Sequence, residues 1–105
     1  MIQHLLFYKL KPEVTKAGIE DMVRSSRSLL LRIPEVLNVR SGRAIDPQSE
    51  WPFFISMEFE SLEKKRIFED DPIFLKFQKV IVEANTLASF QMDFETDPSK
   101  DLKYS

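Results

Sequence analysis

Hydrophobic and polar residues alternate with a period of two along four short segments of the chain, the pattern of β-strands with one apolar side. These segments cover residues 2–9, 37–43, 53–60 and 87–95. The first stops just before Pro12, which fixes the backbone φ angle and lacks an amide donor. We therefore predict four strands.

A helical period replaces the alternation between the first two strands. Apolar residues recur every three or four positions from Ile19 to Ile33, which is typical of an amphipathic helix. Thr15 is a suitable N-cap, and Pro34 should end the helix near Arg32.

Two further helical pieces are predicted between the third and fourth strands. Ser61 can cap a short helix that contains the apolar pair Ile67 and Phe68. Pro72 suits the first turn of a second piece that runs to about Ile81.

The order β-α-β-β-α-β predicts an α+β, ferredoxin-like fold whose four-stranded antiparallel sheet has the strand order 4-1-3-2, with both helices on one face. The most apolar side of each strand should face the helices. This helix-facing set would contain Leu37, Val39, Phe53, Ile55, Met57, Phe59, Ala88, Phe90, Met92 and Phe94.

The other face of the sheet has no helix to cover it. Leu5, Phe7 and Phe54 would lie at its centre, and monomers rarely leave such an apolar patch in water. A second copy packed sheet on sheet is the simplest cover, so we predict a homodimer. Arg40 and Glu58 complete the predicted interface, as an ion pair or as a polar lining of the resulting barrel.

Composition narrows the possible functions. The 105 residues fit one domain, predicted at 1–95, followed by a polar tail at 96–105. The 15 Lys and Arg residues against 17 Asp and Glu give a net charge of −2, which supplies no basic face for nucleic acid. Cysteine is absent, which excludes disulfides and thiol chemistry. No segment resembles a membrane span or a signal peptide, so we expect a soluble, cytoplasmic protein.

Several short motifs resemble the stress-responsive A/B barrel (Dabb) domain family. They are the opening residues 2–12, the helix end at 32–36, the junction at 59–61 and the helix break at 71–72. The resemblance covers residues 1–95 and implies a dimeric α+β barrel, in which two ferredoxin-like protomers pack their bare sheet faces together.

The family resemblance implies two kinds of function. Some members are stress proteins without assigned chemistry, whereas polyketide cyclase members bind a hydrophobic substrate between the sheet and the helices. His4 matches the strand histidine of those cyclases. Phe74 and Phe68, however, stand where the cyclases have their catalytic His and Tyr, and Asp71 replaces the first His of the same stretch. The two residues that would move a proton are therefore absent.

His4 and Tyr8 are the candidate catalytic residues. They share the helix-facing side of the first strand, where a neutral imidazole can act as a general base near pH 7 and the phenol can serve as a polar helper. The alternative is a buried histidine with a purely structural role. Asp70 and Asp71 can bind a hard cation, but we predict that they stabilise the N-terminus of the following helix. No metal site and no cofactor are predicted.

A small hydrophobic ligand would lie between the sheet and the helices. Its predicted lining consists of Leu6, Met22, Ser26, Ile55, Phe68, Phe74, Phe77 and Phe90. The alternative is that these side chains simply form the core, because an aromatic stripe at helical spacing is usually core.

Two functions remain open from the sequence. The first is a homodimeric, stress-linked A/B barrel protein that is non-catalytic or holds a small hydrophobic ligand. The second is a cofactor-independent enzyme, similar to a polyketide cyclase, an isomerase or a monooxygenase, that acts on an aromatic or polyketide-like molecule with His4 as the base.

Overall fold

Alternating strands and helices make up the computed structural model of the chain, which describes residues 1–97 and residue 99. The predicted tail at 96–105 therefore lies mostly outside the described residues. The elements are β1 (Ile2–Leu10), α1 (Lys16–Leu30), β2 (Asn38–Arg43), β3 (Phe53–Phe59), α2 (Leu62–Glu69), α3 (Pro72–Phe77), a π-helical turn (Gln78–Val82), α4 (Glu83–Asn85) and β4 (Thr86–Glu95).

The four strands form one antiparallel sheet in the order β2-β3-β1-β4. This is the predicted order 4-1-3-2 counted from the opposite edge, so the ferredoxin-like fold is confirmed. Helix α1 packs on β2 and on α3, and α2 packs on β3. The two central strands, β1 and β3, lie beneath the helical layer and supply nearly half of the buried apolar residues.

Helices α1, α2 and α3 begin directly after capping side chains, close to the positions predicted from the sequence. The Thr15 and Ser61 hydroxyls accept hydrogen bonds from backbone amides at the starts of α1 and α2. Asp71 accepts from the Ile73 amide at 2.8 Å and precedes Pro72 in the first turn of α3. The predicted helix-terminal role of Asp71 is therefore confirmed, because its carboxylate satisfies an amide that lacks an intrahelical partner.

Aromatic rings form the centre of the core between the sheet and the helices. Phe68 of α2 lies 4.9 Å from Phe59 and 4.2 Å from Phe74 between ring centroids, and Phe68 is completely buried. Leu37, which we expected to face the helices, instead precedes β2 and is 51% exposed.

The fourth strand presents its apolar side to the opposite face from the one predicted. Its register places Phe90 opposite Phe7 of β1 and Met92 opposite Leu5. Directly paired residues share a face of the sheet, so these side chains lie away from the helices. The predicted alternation of apolar and polar residues along β4 was correct. Alternation does not show which side of the strand faces the helices, however, when both sides of the neighbouring strand β1 are largely apolar. The expectation is therefore wrong for the four β4 residues of the helix-facing set, which are Ala88, Phe90, Met92 and Phe94.

No helix within residues 1–97 is both long and apolar enough to cross a membrane.

We expect Phe68→Ala to lower the free energy of unfolding by about 3–5 kcal/mol, because it removes a fully buried ring and leaves a cavity among its aromatic neighbours. Leu75→Ala, at a position that is 54% exposed on the adjacent helix, should change it by less than about 0.5 kcal/mol. Urea denaturation of both variants at one fixed protein concentration measures the difference. Equal effects would contradict the assigned core.

Candidate functional site

His4 joins three elements through a chain of polar contacts. Its side chain is buried on the helix-facing side of β1, and its Nδ1 lies 2.5 Å from Asp93 Oδ1 on the neighbouring strand β4. The second Asp93 oxygen, Oδ2, accepts a hydrogen bond from Lys65 Nζ of α2 at 2.6 Å. His4 and Asp93 are direct partners in the β1–β4 register. We call these three residues the His4 relay.

The pKa shifts of Asp93 and His4 determine which of the two residues is charged at neutral pH. Burial raises the pKa of Asp93, but the hydrogen bonds from Lys65 and His4 outweigh burial and hold this pKa below its ordinary value. Burial also lowers the pKa of His4, and the opposing attraction of Asp93 does not reverse that shift. At neutral pH the pair is therefore an ionised carboxylate beside a neutral imidazole.

An ionised carboxylate only accepts hydrogen bonds, so His4 Nδ1 carries the proton and donates a hydrogen bond to Asp93. The other ring nitrogen, Nε2, is then an unprotonated acceptor. It makes no hydrogen bond within the described part of the chain, where no fully buried side-chain nitrogen or oxygen lacks a partner. Nε2 is consequently not fully enclosed, although the His4 side chain as a whole is only 4% exposed.

Tyr8 lies on the same side of β1 as His4 but does not share its site. Four residues of strand separate their Cα atoms by about 13 Å. The Tyr8 ring packs against Phe53 at 5.6 Å between centroids, and burial raises the pKa of its phenol far above the ordinary value. Tyr8 is thus a neutral hydroxyl at neutral pH, too far away to act on the same atom as His4. Its predicted role as a polar helper remains a prediction.

The two phenylalanines at the cyclase-like positions belong to a continuous aromatic cluster beside His4. The His4 ring meets Phe59 edge-on at 6.3 Å. Phe59 contacts Phe68, which in turn contacts Phe74. Neither Phe68 nor Phe74 can transfer a proton, so any acid–base chemistry here depends on His4 and Asp93.

The predicted ligand lining is mostly core. Ser26 is completely buried, donates to the Val23 carbonyl at 2.9 Å and lies 2.7 Å from the Ser41 hydroxyl, so its polar group is satisfied locally. Phe90 is wrong as a lining residue because its side chain lies on the opposite face of the sheet. The other buried members are Leu6, Met22, Ile55, Phe68, Phe74 and Phe77.

Among the described residues, no group of three or more His, Asp or Glu side chains is arranged to hold a metal ion.

The face of the sheet that no helix covers carries a band of aromatic and aliphatic side chains. Phe7 stacks between Phe54 at 6.4 Å and Phe90 at 4.7 Å. Trp51 meets the Phe90 ring edge-on, and Lys9 Nζ lies 5.1 Å from the Trp51 centroid. We call this band the uncovered sheet face, and its apolar members are Leu5, Phe7, Phe54, Phe90, Met92 and Phe94.

Arg40 and Glu58 also lie on the uncovered sheet face. The β2–β3 register sets Arg40 opposite Ser56 and Glu58 opposite Asn38. Within the protomer, as far as the structure describes it, no ion pair joins the two side chains. Each charge is therefore available to a group outside the protomer.

Asp93 and Lys65 are the two members of the His4 relay that sequence analysis missed. Asp93 is 89 positions from His4 in the chain, and it lies between two apolar neighbours in its strand, as Glu58 does in β3. An acidic residue between two apolar neighbours was the available signal, but Glu58 carries the same signal on the other face of the sheet. Lys65 lies in a run of charged helix residues, which gives no indication of a particular partner.

Comparison with known families gives one match over almost the whole chain. The family model of the stress responsive A/B barrel domain matches residues 2–96. No functionally curated protein shows significant sequence similarity.

Solved structures show the same fold at low sequence identity. A Dabb family protein with a ferredoxin-like fold from Mesorhizobium loti has a TM-score of 0.78 and 20% identity, covering 90% of this chain and 95% of that one. A dimeric ferredoxin-like protein of unknown function from Thermobifida fusca has a TM-score of 0.79 and 18% identity, covering 90% of each chain. Hydroxynitrile lyase from Passiflora edulis has a TM-score of 0.77 and 17% identity, covering 92% and 94%.

We expect the pKa of His4 to lie below about 6.5, the ordinary value for histidine. Below that pH the unfolded chain binds a proton that the folded chain does not, so the free energy of unfolding should fall as the pH drops from about 6.5 towards the folded pKa. His4 is the only histidine, so an NMR titration of its ring reports the value without assignment. Asp93→Asn should lower the pKa further, because it removes the attraction that favours the imidazolium. A pKa above 6.5, or a rise in the variant, would contradict the relay.

Proposed function

Since the chain belongs to the stress responsive A/B barrel domain family, we propose that it acts as a homodimer in which each protomer binds a small, largely apolar molecule at His4. The observation that carries this proposal is the oriented, neutral imidazole, whose Nε2 is unpaired beside an aromatic cluster. The dimer and the ligand site use opposite faces of the same sheet.

The uncovered sheet face supports the dimer. Phe90, Met92 and Phe94 are between 39% and 47% exposed in the isolated protomer, and large apolar patches of this kind mark interaction sites. A second copy matches such a surface, since two-fold packing brings the same patch from both protomers together. The protein from Thermobifida fusca with this fold is dimeric, which supports a dimer here.

The two unpaired charges on that face fit the same dimer. Arg40 and Glu58 have opposite signs, and neither has an ion-pair partner among the described residues. We propose that Arg40 of one protomer approaches Glu58 of the other across the two-fold axis, because each buried charge then has a partner when water is excluded.

The immediate surroundings of His4 are mostly apolar. Phe59, Phe68 and Phe74 occupy the region next to His4, so a ligand would contact aromatic rings and place one hydrogen-bonding group against Nε2. Nε2 is an acceptor in the neutral tautomer. A hydroxyl, an enol or an amide N–H is therefore the group that the site selects.

Proton transfer is the second candidate function, and the carboxylate–imidazole pair favours it. Asp93 holds the ring in one tautomer and stabilises the imidazolium that forms when Nε2 takes a proton, which is the role of the carboxylate in acid–base histidine pairs. Hydroxynitrile lyase from Passiflora edulis is an enzyme with this fold. Proton transfer between a ligand and Nε2 would need no cofactor.

Phe7→Glu should convert the dimer to a monomer or to aggregates. The substitution puts a carboxylate at the centre of the stacked rings in each protomer, at a cost of several kcal/mol per buried charge, so we expect the dissociation constant to rise at least on the order of a thousandfold. Sedimentation equilibrium measures it. Leu75→Glu, on the helical side and 54% exposed, is the matched control and should leave the dimer intact. An unchanged Phe7→Glu dimer would exclude sheet-to-sheet packing.

Native mass spectrometry of the protein from its source should show a dimer with a bound small molecule, and His4→Gln should lose that added mass. Gln is similar in size to His and keeps a polar group, but it lacks the imidazole acceptor. A bare wild-type dimer would contradict the ligand proposal.

Reaction with diethyl pyrocarbonate tests whether His4 Nε2 is accessible, because the reagent acylates an accessible, unprotonated imidazole nitrogen. It thereby distinguishes a protein that lost its ligand during purification from one whose Nε2 no ligand can reach. We expect the folded wild-type protein to gain one modification that is absent in His4→Gln. If His4 reacts only after denaturation, Nε2 is closed and both functions at this site are wrong.

A further inference from the structure

We propose that a cavity between α1 and α3, separate from the His4 relay, binds a small amphipathic carboxylate. The cavity has a volume of about 290 Å³, at the lower end of the range for small-molecule sites. It lies between the C-terminal end of α1 and the helical face that runs from α3 through the π-helical turn. Its lining consists of Leu29, Arg32, Ile73, Lys76, Phe77, Val80 and Ile81.

The walls of this cavity are suited to an aliphatic or aryl chain. Ile73, Phe77 and Val80 follow one another at helical spacing and present a single apolar stripe towards Leu29 of α1. Val80 is 54% exposed, although a branched aliphatic side chain gains by burial. A ligand chain in the cavity would cover it.

The polar part of the lining is entirely cationic. Arg32 lies in the turn that follows α1 and Lys76 lies in α3, and neither forms an ion pair with a described residue. A guanidinium can bind a carboxylate through two parallel hydrogen bonds, and the ammonium adds a second donor. An acyl chain with one carboxylate matches both the apolar walls and the two cations.

The π-helical turn shapes the far end of the cavity. Residues Gln78–Val82 adopt this geometry in the middle of a helical segment, and such turns occur frequently at functional sites. The wider turn carries Val80 and Ile81, both of which line the cavity.

This cavity is independent of the proposed function. His4 and Asp93 are absent from its lining, and the uncovered sheet face lies on the other side of the sheet. If experiments disproved the dimer or ligand binding at His4, the proposal for this cavity would therefore still stand.

Titration with octanoate, followed by amide NMR and by calorimetry, tests the proposal. We expect shifts concentrated at Arg32 and along residues 73–81, and at least tenfold weaker binding of octanol, which has the chain without the charge. The double substitution Arg32→Gln and Lys76→Gln should also weaken octanoate binding at least tenfold. Lys79→Gln removes a charge from the same helical segment at a position outside the lining, and it should have no effect.

Val80→Trp is a second test that leaves both cations in place. The larger side chain at this exposed position should fill the cavity without disturbing the core, and octanoate binding should be lost. Equal binding of octanoate and octanol, shifts confined to the uncovered sheet face, or equal losses in Lys79→Gln and the double variant would each overturn the proposal. It would also be overturned if Val80→Trp dissociated an assembly of the protein, because a second copy would then be the occupant.

Discussion

The pairing register of β1 with β4 is the constraint on which the rest of the molecule depends. It sets His4 opposite Asp93 and, one residue later, Leu5 opposite Met92. A shift of one residue would exchange the two faces of β4. It would place a carboxylate on the uncovered sheet face and put Met92 where the imidazole now finds its partner. One register therefore determines both the polar relay under the helices and the apolar surface on the other side.

Solvation explains why this register is favoured. His4 is almost completely buried, and a buried imidazole needs a hydrogen-bond partner. Asp93 supplies it and remains partly open to water, where Lys65 balances its charge. The carboxylate is thus never isolated in an apolar environment. The cost of this solution is that β4 turns its aromatic side outward, where a second copy of the chain can cover it.

The sequence was sufficient for the parts of the fold that depend on local chemistry. Strand alternation, the caps at Thr15 and Ser61 and the prolines gave the order of elements, and short connections then gave the strand order. The facing of β4 was not accessible in this way, because hydrophobicity identifies an inward side only where the other side is polar. The His4–Asp93 contact depends on the same register. It joins residues at opposite ends of the chain, so no local pattern could have shown it.

The aromatic cluster links the core to the chemistry that the site can perform. Phe68 and Phe74 occupy positions where the cyclase-like pattern has groups that transfer protons, and the structure packs them ring to ring between Phe59 and the helices. Their burial stabilises the fold through apolar area and through ring contacts. Beside this cluster, His4 Nε2 is an acceptor without a hydrogen-bond partner among the described residues. A ligand at this site must accordingly be recognised by shape and by one hydrogen bond. Arg32 and Lys76 line the separate cavity between α1 and α3, so they add nothing to recognition at His4.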